Sequence, residues 1–132
     1  MKVFSSISQV KNIKNSVLTI GNFDGVHLGH NKILDKLIEE SIRKNCLSVV
    51  ITFFPIPISF IDPQKFSGHI DSKNEKIQKI KKKEVNVLCL LPFNKKIKNI
   101  TAQEFLDKVI IDKFNPNTII IGHDHRFGYK RE

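Results

Sequence analysis

The sequence predicts an α/β protein built on a doubly wound parallel sheet. Four short apolar runs read as strands and alternate with three stretches of helical periodicity, the pattern of a parallel sheet wound by right-handed crossovers. A glycine-rich segment joins the first strand to the first helix, the junction at which such sheets bind phosphates. The length, 132 residues, suits one domain.

Each element has its own warrant. Val17-Leu18-Thr19-Ile20 is apolar and β-branched and stops at Gly21. Ile33, Leu34, Leu37, Ile38 and Ile42 then recur at helical spacing, with Lys32, Asp35, Lys36, Glu39 and Glu40 on the other face. Leu47 to Phe53 is a nearly continuous run, as in a strand buried on both faces. Pro55 to Ile70 holds Pro55, Pro57, Pro63 and Gly68 and reads as a loop or flap over the site. Asp71 to Lys83 is a second helix, with Asp71 or Ser72 as its cap and Ile77 and Ile80 as its stripe. Val85 to Leu91 is a third strand, stopped by Pro92. Thr101-Ala102-Gln103-Glu104 is close to a capping box, and Phe105, Leu106, Val109 and Ile110 follow at helical spacing. Thr118 to Ile121 is the fourth strand, stopped by Gly122. The expected strand order is 3-2-1-4-5, which makes strands one and four neighbours at the switch point.

Composition excludes several classes. Hydrophobic residues are 40% and charged residues 27% of the chain, which argues against wholesale disorder. No run approaches the ~18 apolar residues of a membrane span, and Met1-Lys2-Val3-Phe4-Ser5 lacks the pattern of a signal peptide. Cys46 and Cys89 lie in apolar strand-like runs and read as buried thiols, without disulfide or metal spacing. The expected location is the cytoplasm. The net charge of +9 suits phosphate-bearing partners. Yet Lys, Ile and Asn make up 50 of the 132 residues, a bias toward A/T-rich codons. No basic run is interleaved with aromatics to stack bases, so no nucleic-acid partner is expected.

The chemistry is concentrated at Thr19 to His30. Gly21, Gly25 and Gly29 permit close backbone approach. His27 and His30, three apart at a helix start, can face one point at the positive end of the helix dipole. Two imidazoles and unpaired backbone N–H groups make a cradle for polyphosphate. Asn22 offers an amide, and Asp24 reads as a loop-bracing carboxylate. Phe53, Phe54, Phe60 and Phe66 form either an apolar pocket or ordinary core. In the loop after strand four, Asp124 and Arg126 are the remaining candidates. His69 reads as a surface residue and Lys81-Lys82-Lys83 as a solvated helix end.

Read in order, these segments resemble the adenylyltransferase module of the bacterial riboflavin kinase/FMN adenylyltransferase proteins. Gly21 to His30 matches that family's G-x-F-D-G-x-H-x-G-H motif. Thr52-Phe53-Phe54-Pro55-Ile56-Pro57 is similar to its T-F-x-P-H-P, and Asn74-Glu75-Lys76-Ile77 to its E-K helix. Leu91-Pro92-Phe93 and Thr101 to Phe105 resemble its L-P-F and S-A-E-E-F segments. Ile121 to Gly128 resembles V-G-x-D-F-R-F-G. Ile56 and His125 depart from the pattern, where the family has His and Phe.

The resemblance implies a Rossmann-like fold of the nucleotidylyltransferase superfamily and transfer of AMP from ATP to FMN, with Mg²⁺ accompanying ATP and no dedicated protein ligands for the metal. It implies catalytic roles for His27 and His30 and nucleotide binding by Gly21, Asn22, Phe23, Asp24, Gly29 and His30. Flavin binding falls to Phe53, Pro55, Pro57, Asp124 and Arg126. The expectation for residues 1–132 is a C-terminally incomplete module. The family's S-S-T-x-x-R segment would fall after Glu132, as would riboflavin kinase, so slow turnover or none is expected. Three other readings stay open: a nucleotidylyltransferase for another small substrate, a remnant that binds nucleotide or flavin without turnover, and a basic nucleic-acid binder.

Overall fold

The computed structural model describes residues 1–11, 13–23, 28–54, 64, 68, 72–92 and 102–121. Five strands form one sheet: β1 (Lys2–Phe4), β2 (Ser16–Ile20), β3 (Leu47–Phe53), β4 (Val87–Leu91) and β5 (Pro116–Ile120). Their order is β1-β4-β3-β2-β5, and every pairing is parallel. The four expected strands occupy their expected places, with the first beside the fourth. The short β1 adds an edge strand beside β4 that the sequence reading did not include; with three residues it carries too little pattern to find.

Helix α1 (Leu28–Lys44) joins β2 to β3, and α2 (Lys73–Lys81) lies between β3 and β4. Helix α3 joins β4 to β5 in three pieces: an α turn at Ala102–Phe105, a π stretch at Leu106–Ile111 and an α turn at Asp112–Phe114. That last crossover passes over β3 and β2. It therefore winds onto the opposite face of the sheet, as the two separate cores show. On one face Val17, Val50 and Leu88 pack with Leu34 and Leu37 of α1 and Ile80 of α2. On the other, Leu18, Ile20, Val49, Ile51, Phe53, Cys89 and Leu91 pack with Phe105, Ile110 and Phe114 of α3. Strand residues alternate between the two layers because their period is two.

Local chemistry sets the ends. Ser72 caps α2: its Oγ accepts from Glu75 N at 3.1 Å, and Glu75 Oε1 accepts from Ser72 N at 3.0 Å, a reciprocal capping box. The cap is thus Ser72, and the helix is shorter than the expected 71–83. Helix α1 ends in a Schellman turn. Asn45 takes φ +52°, in the left-handed region, Cys46 N donates to Ser41 O, and Asn45 N donates to Ile42 O. Asn115, at φ +40°, ends α3 in the same left-handed region.

Four sequence expectations are corrected. Ile42 is 74% exposed, because the buried line of α1 runs through Leu34, Leu37 and Ser41 and leaves Ile42 about 100° away. Strand β4 begins at Val87, since Asn86 turns its amide onto β3: Asn86 Oδ1 accepts from Ser48 N and Oγ at 2.9 and 3.0 Å. Strand β5 begins at Pro116, a position where a missing donor is tolerated, and Ile121 beyond it is 61% exposed. In α3 the regular spacing gives way to a π stretch that places Phe105 and Ile110, five residues apart, on one buried face. Thr101, the cap of the expected 101–104 box, and most of the Pro55–Ile70 segment lie outside the described residues. No helix among the described residues is long and apolar enough to cross a membrane.

Burial pushes the Cys89 thiol up from 9.0 to about 12. Above pH 9 the unfolded chain releases that proton while the folded chain keeps it, so stability falls as pH rises toward 12. The slope is about 1.4 kcal/mol per pH unit. Urea unfolding at pH 8 and pH 10.5 should show the wild type losing ~2 kcal/mol more than Cys89→Ala. Equal losses would mean that the thiol ionises in place.

Candidate functional site

The site begins where β2 ends. Gly21 N donates to Ile51 O at 3.1 Å, the last rung before the chain turns away. Beyond it the Asn22 carbonyl is turned back onto the sheet. It accepts from Thr52 Oγ1 at 2.9 Å and from Lys76 Nζ at 2.6 Å. Lys76 also donates to Phe53 O at 3.1 Å, and its Nζ lies 6.0 Å from the centre of the Phe54 ring. Thr52 and Lys76 are both wholly buried. Lys is rarely buried without partners, so these contacts offset a real desolvation cost. On the other flank, Thr19 Oγ1 donates to Ile120 O at 2.7 Å and ties the end of β5 to β2.

Phe23 follows with φ +48°, the left-handed region that L residues with bulky side chains avoid. Such a backbone costs on the order of 1–3 kcal/mol. Ring burial offsets it: Phe23 is 2% exposed and packs in the cluster of Val17, Leu34, Leu37 and Ile80. Burying a Phe side chain contributes roughly 1.5–3 kcal/mol. The ring has room because residue 21 is glycine. A Cβ on Gly21 would lie 3.1 Å from Phe23 Cε2. The ring also meets that of His30, with centroids 5.1 Å apart and planes tilted by 60°. Phe23 is therefore a floor on which His30 rests.

His30 and Gly29 lie in the first turn of α1. His30 is half-buried, with its Nδ1 atom shielded from solvent. That turn contains no acidic residue, while Arg43 and Lys44 occupy the last turn. The positive end of the helix dipole is thus left uncompensated by carboxylates within the helix, and the negative end is matched by cations. Exposed Asn22 flanks the same junction. A helix N-terminus, an imidazole and an amide together suit an anion with several acceptor oxygens, such as a phosphate chain. Among the described residues no three His, Cys, Asp or Glu side chains gather to hold a metal ion.

The structure thus brings Gly21, Asn22, Phe23, Gly29 and His30 to one junction. His27 and Asp24 lie outside the described residues, as do Pro55, Pro57, Asp124 and Arg126 and the two departures, Ile56 and His125. Phe53 has its ring in the core, 6.3 Å from that of Phe105, and reaches the site through its carbonyl. Of its two sequence readings, the core is the one seen. Phe23 likewise supports the junction from below and does not face outward. Sequence reasoning assigns no role to Thr52 or Lys76. The signal for Lys76 was its spacing: with Ile77 and Ile80 it falls on the buried stripe of α2. Lys83, read as solvated, forms a 3.0 Å ion pair with Asp35 of α1.

Comparison with known proteins places the chain in a family. The FAD synthetase family model matches residues 9–132. The bifunctional riboflavin kinase/FMN adenylyltransferase of Buchnera aphidicola subsp. Schizaphis graminum is 37% identical over 132 residues, 99% of this chain and 42% of that protein. Its counterpart from Escherichia coli K12 is 33% identical over 116 residues, 88% of this chain and 37% of that protein. The chain therefore spans about two fifths of the length of these curated relatives. A crystal structure from Streptococcus pneumoniae, described as a macrolide-efflux protein, superposes with a TM-score of 0.84 at 28% identity. That match covers 98% of this chain and 43% of the pneumococcal one. With nearly its whole length matched, by sequence and by fold, this chain belongs to the FAD synthetase family.

Proposed function

We propose that the chain is an FMN adenylyltransferase, which transfers AMP from ATP to FMN and releases pyrophosphate. The observation that carries this reading is the Gly21–His30 junction, where an imidazole on a buried aromatic floor stands at a helix N-terminus free of acidic residues. Membership of the FAD synthetase family supports the choice of FMN as acceptor. The riboflavin kinase activity named for the relatives belongs to proteins more than twice as long, and is not proposed for this chain.

No covalent nucleophile is required. An oxygen of the FMN phosphate attacks the α-phosphorus of ATP in line. The new P–O bond forms as the bond to the β-phosphate oxygen breaks, and pyrophosphate leaves with the electron pair. Catalysis of this kind is positioning plus stabilisation of growing charge. His30, with His27 three residues earlier, is assigned to the triphosphate, and Asn22 to its flank. Gly21 gives the nucleotide close access to backbone. Mg²⁺ accompanies ATP and neutralises part of its charge, a hard cation that prefers phosphate oxygens and water. Pro55, Pro57, Asp124 and Arg126 are assigned to the flavin side.

The test is FAD formation from ATP, Mg²⁺ and FMN, followed by chromatography, with binding of each ligand measured separately. His30→Ala should weaken ATP binding by the ~1.5–3 kcal/mol of a charge-assisted hydrogen bond. FMN affinity, read from quenching of flavin fluorescence, should stay nearly unchanged. Equal loss for both ligands would assign His30 to folding. Firm binding of both ligands by the wild type without FAD would leave a binding module and no transferase.

A further inference from the structure

We propose that Lys76 is a positioning residue of the phosphate cradle, acting from α2 through the Asn22 carbonyl to set the backbone that carries Phe23 beneath His30. This rests on the reading of the Gly21–His30 junction as the phosphate site. Lys76 Nζ reaches two carbonyl oxygens from different strand ends, Asn22 O at 2.6 Å and Phe53 O at 3.1 Å. Thr52 Oγ1 reaches the first of them at 2.9 Å. Asn22 O belongs to the peptide that leads directly into Phe23, whose φ is +48°. Rotating that peptide would move the Phe23 ring, and the ring is what His30 packs against at 5.1 Å.

The burial of Lys76 is hard to explain as packing alone. An apolar residue would fill the same volume without the cost of removing an ammonium from water. An ammonium supplies what an apolar residue lacks: several donors that converge on carbonyls of β2's exit and β3's end, in a form stronger than a neutral hydrogen bond. It also places a positive charge against the Asn22 carbonyl, at the entry to the junction read as the phosphate site. Lys76 touches the backbone at Asn22, and so acts on the junction without meeting the phosphate itself.

The test uses the full chain with Lys76→Met, which keeps the length of the side chain, and Thr52→Val, which removes the other donor to Asn22 O and keeps its shape. The readouts are the proton resonance of the His30 ring, assigned by its loss in His30→Gln, and the ATP dissociation constant. In Lys76→Met the His30 resonance should shift as Phe23 moves, and ATP should bind about tenfold more weakly or worse. Thr52→Val should shift the same resonance in the same direction by less. A merely structural Lys76 would lower the melting temperature while the folded protein kept its His30 resonance and its ATP affinity, and that result overturns the proposal. If Lys76→Met does not fold, Thr52→Val decides: an unmoved His30 resonance overturns the proposal. Should the wild type itself fail to bind ATP, the phosphate reading falls. The His30 resonance alone then still decides whether Lys76 positions the junction.

Discussion

One carbonyl oxygen, that of Asn22, organises the end of the sheet where the chemistry is placed. It is held by a hydroxyl from β3 and an ammonium from α2, at 2.9 and 2.6 Å. Because it is held, the chain turns into Phe23 with a backbone that an aromatic residue would otherwise avoid. Because Phe23 is turned inward, its ring fills the space left by the missing side chain of Gly21 and supports His30. Strain in the backbone, burial of the ring and burial of a lysine are thus three parts of one arrangement. Local strain of this kind persists only where the surroundings over-determine it.

The sheet supplies the frame for that arrangement. Strand β2 is paired on both sides, with β3 and β5, so its end is fixed from two directions. The crossover through α3 takes the chain to the far side of β2 and onto the other face, which makes the end of β2 a switch point. Hydroxyls brace the seam. Ser16 Oγ donates to Phe114 O at 2.8 Å at one end of β2, and Thr19 Oγ1 donates to Ile120 O at 2.7 Å near the other. Buried Ser and Thr within an otherwise apolar strand are satisfied by carbonyls that the irregular ends of α3 and β5 leave available. The result is a rigid base for a loop that has to hold an unfavourable conformation.

Much of this was legible in the sequence, for reasons that can be stated. The strands at 16–20 and 47–53 are long enough, and buried enough on both faces, to read as continuous apolar runs. The candidate site is placed by glycines and histidines gathered at a strand-to-helix junction. What was missed depends on contacts distant in sequence. Lys76 and Asn22 are 54 residues apart, and the spacing that puts Lys76 on the buried stripe of α2 does not say which carbonyl it reaches. Phe23 is assigned to nucleotide binding by its motif. Its role as a floor follows from a dihedral angle that sequence does not display. Ile42 was misplaced because helical spacing tells which residues share a face, while the sheet decides how far round that face is covered. The π stretch in α3 escaped notice because Phe105, Leu106, Val109 and Ile110 fit an ordinary helix equally well.

The dependence of His30 on the Gly21–Phe23 packing is the central claim, and Gly21→Ala tests it most directly. Residue 21 is not among those with positive φ, so alanine meets no backbone objection there, only the Phe23 ring at 3.1 Å. The measurement is the ATP dissociation constant of Gly21→Ala beside that of the wild type, with thermal unfolding run in parallel. The account predicts at least about tenfold weaker ATP binding, because a ring that cannot stay beneath His30 withdraws a charge-assisted contact worth about 1.5–3 kcal/mol. It predicts a modest fall in unfolding temperature with the fold retained, since the Phe23 ring that must give way packs with Val17, Leu34, Leu37 and Ile80. Wild-type affinity for ATP in a folded Gly21→Ala protein would contradict it.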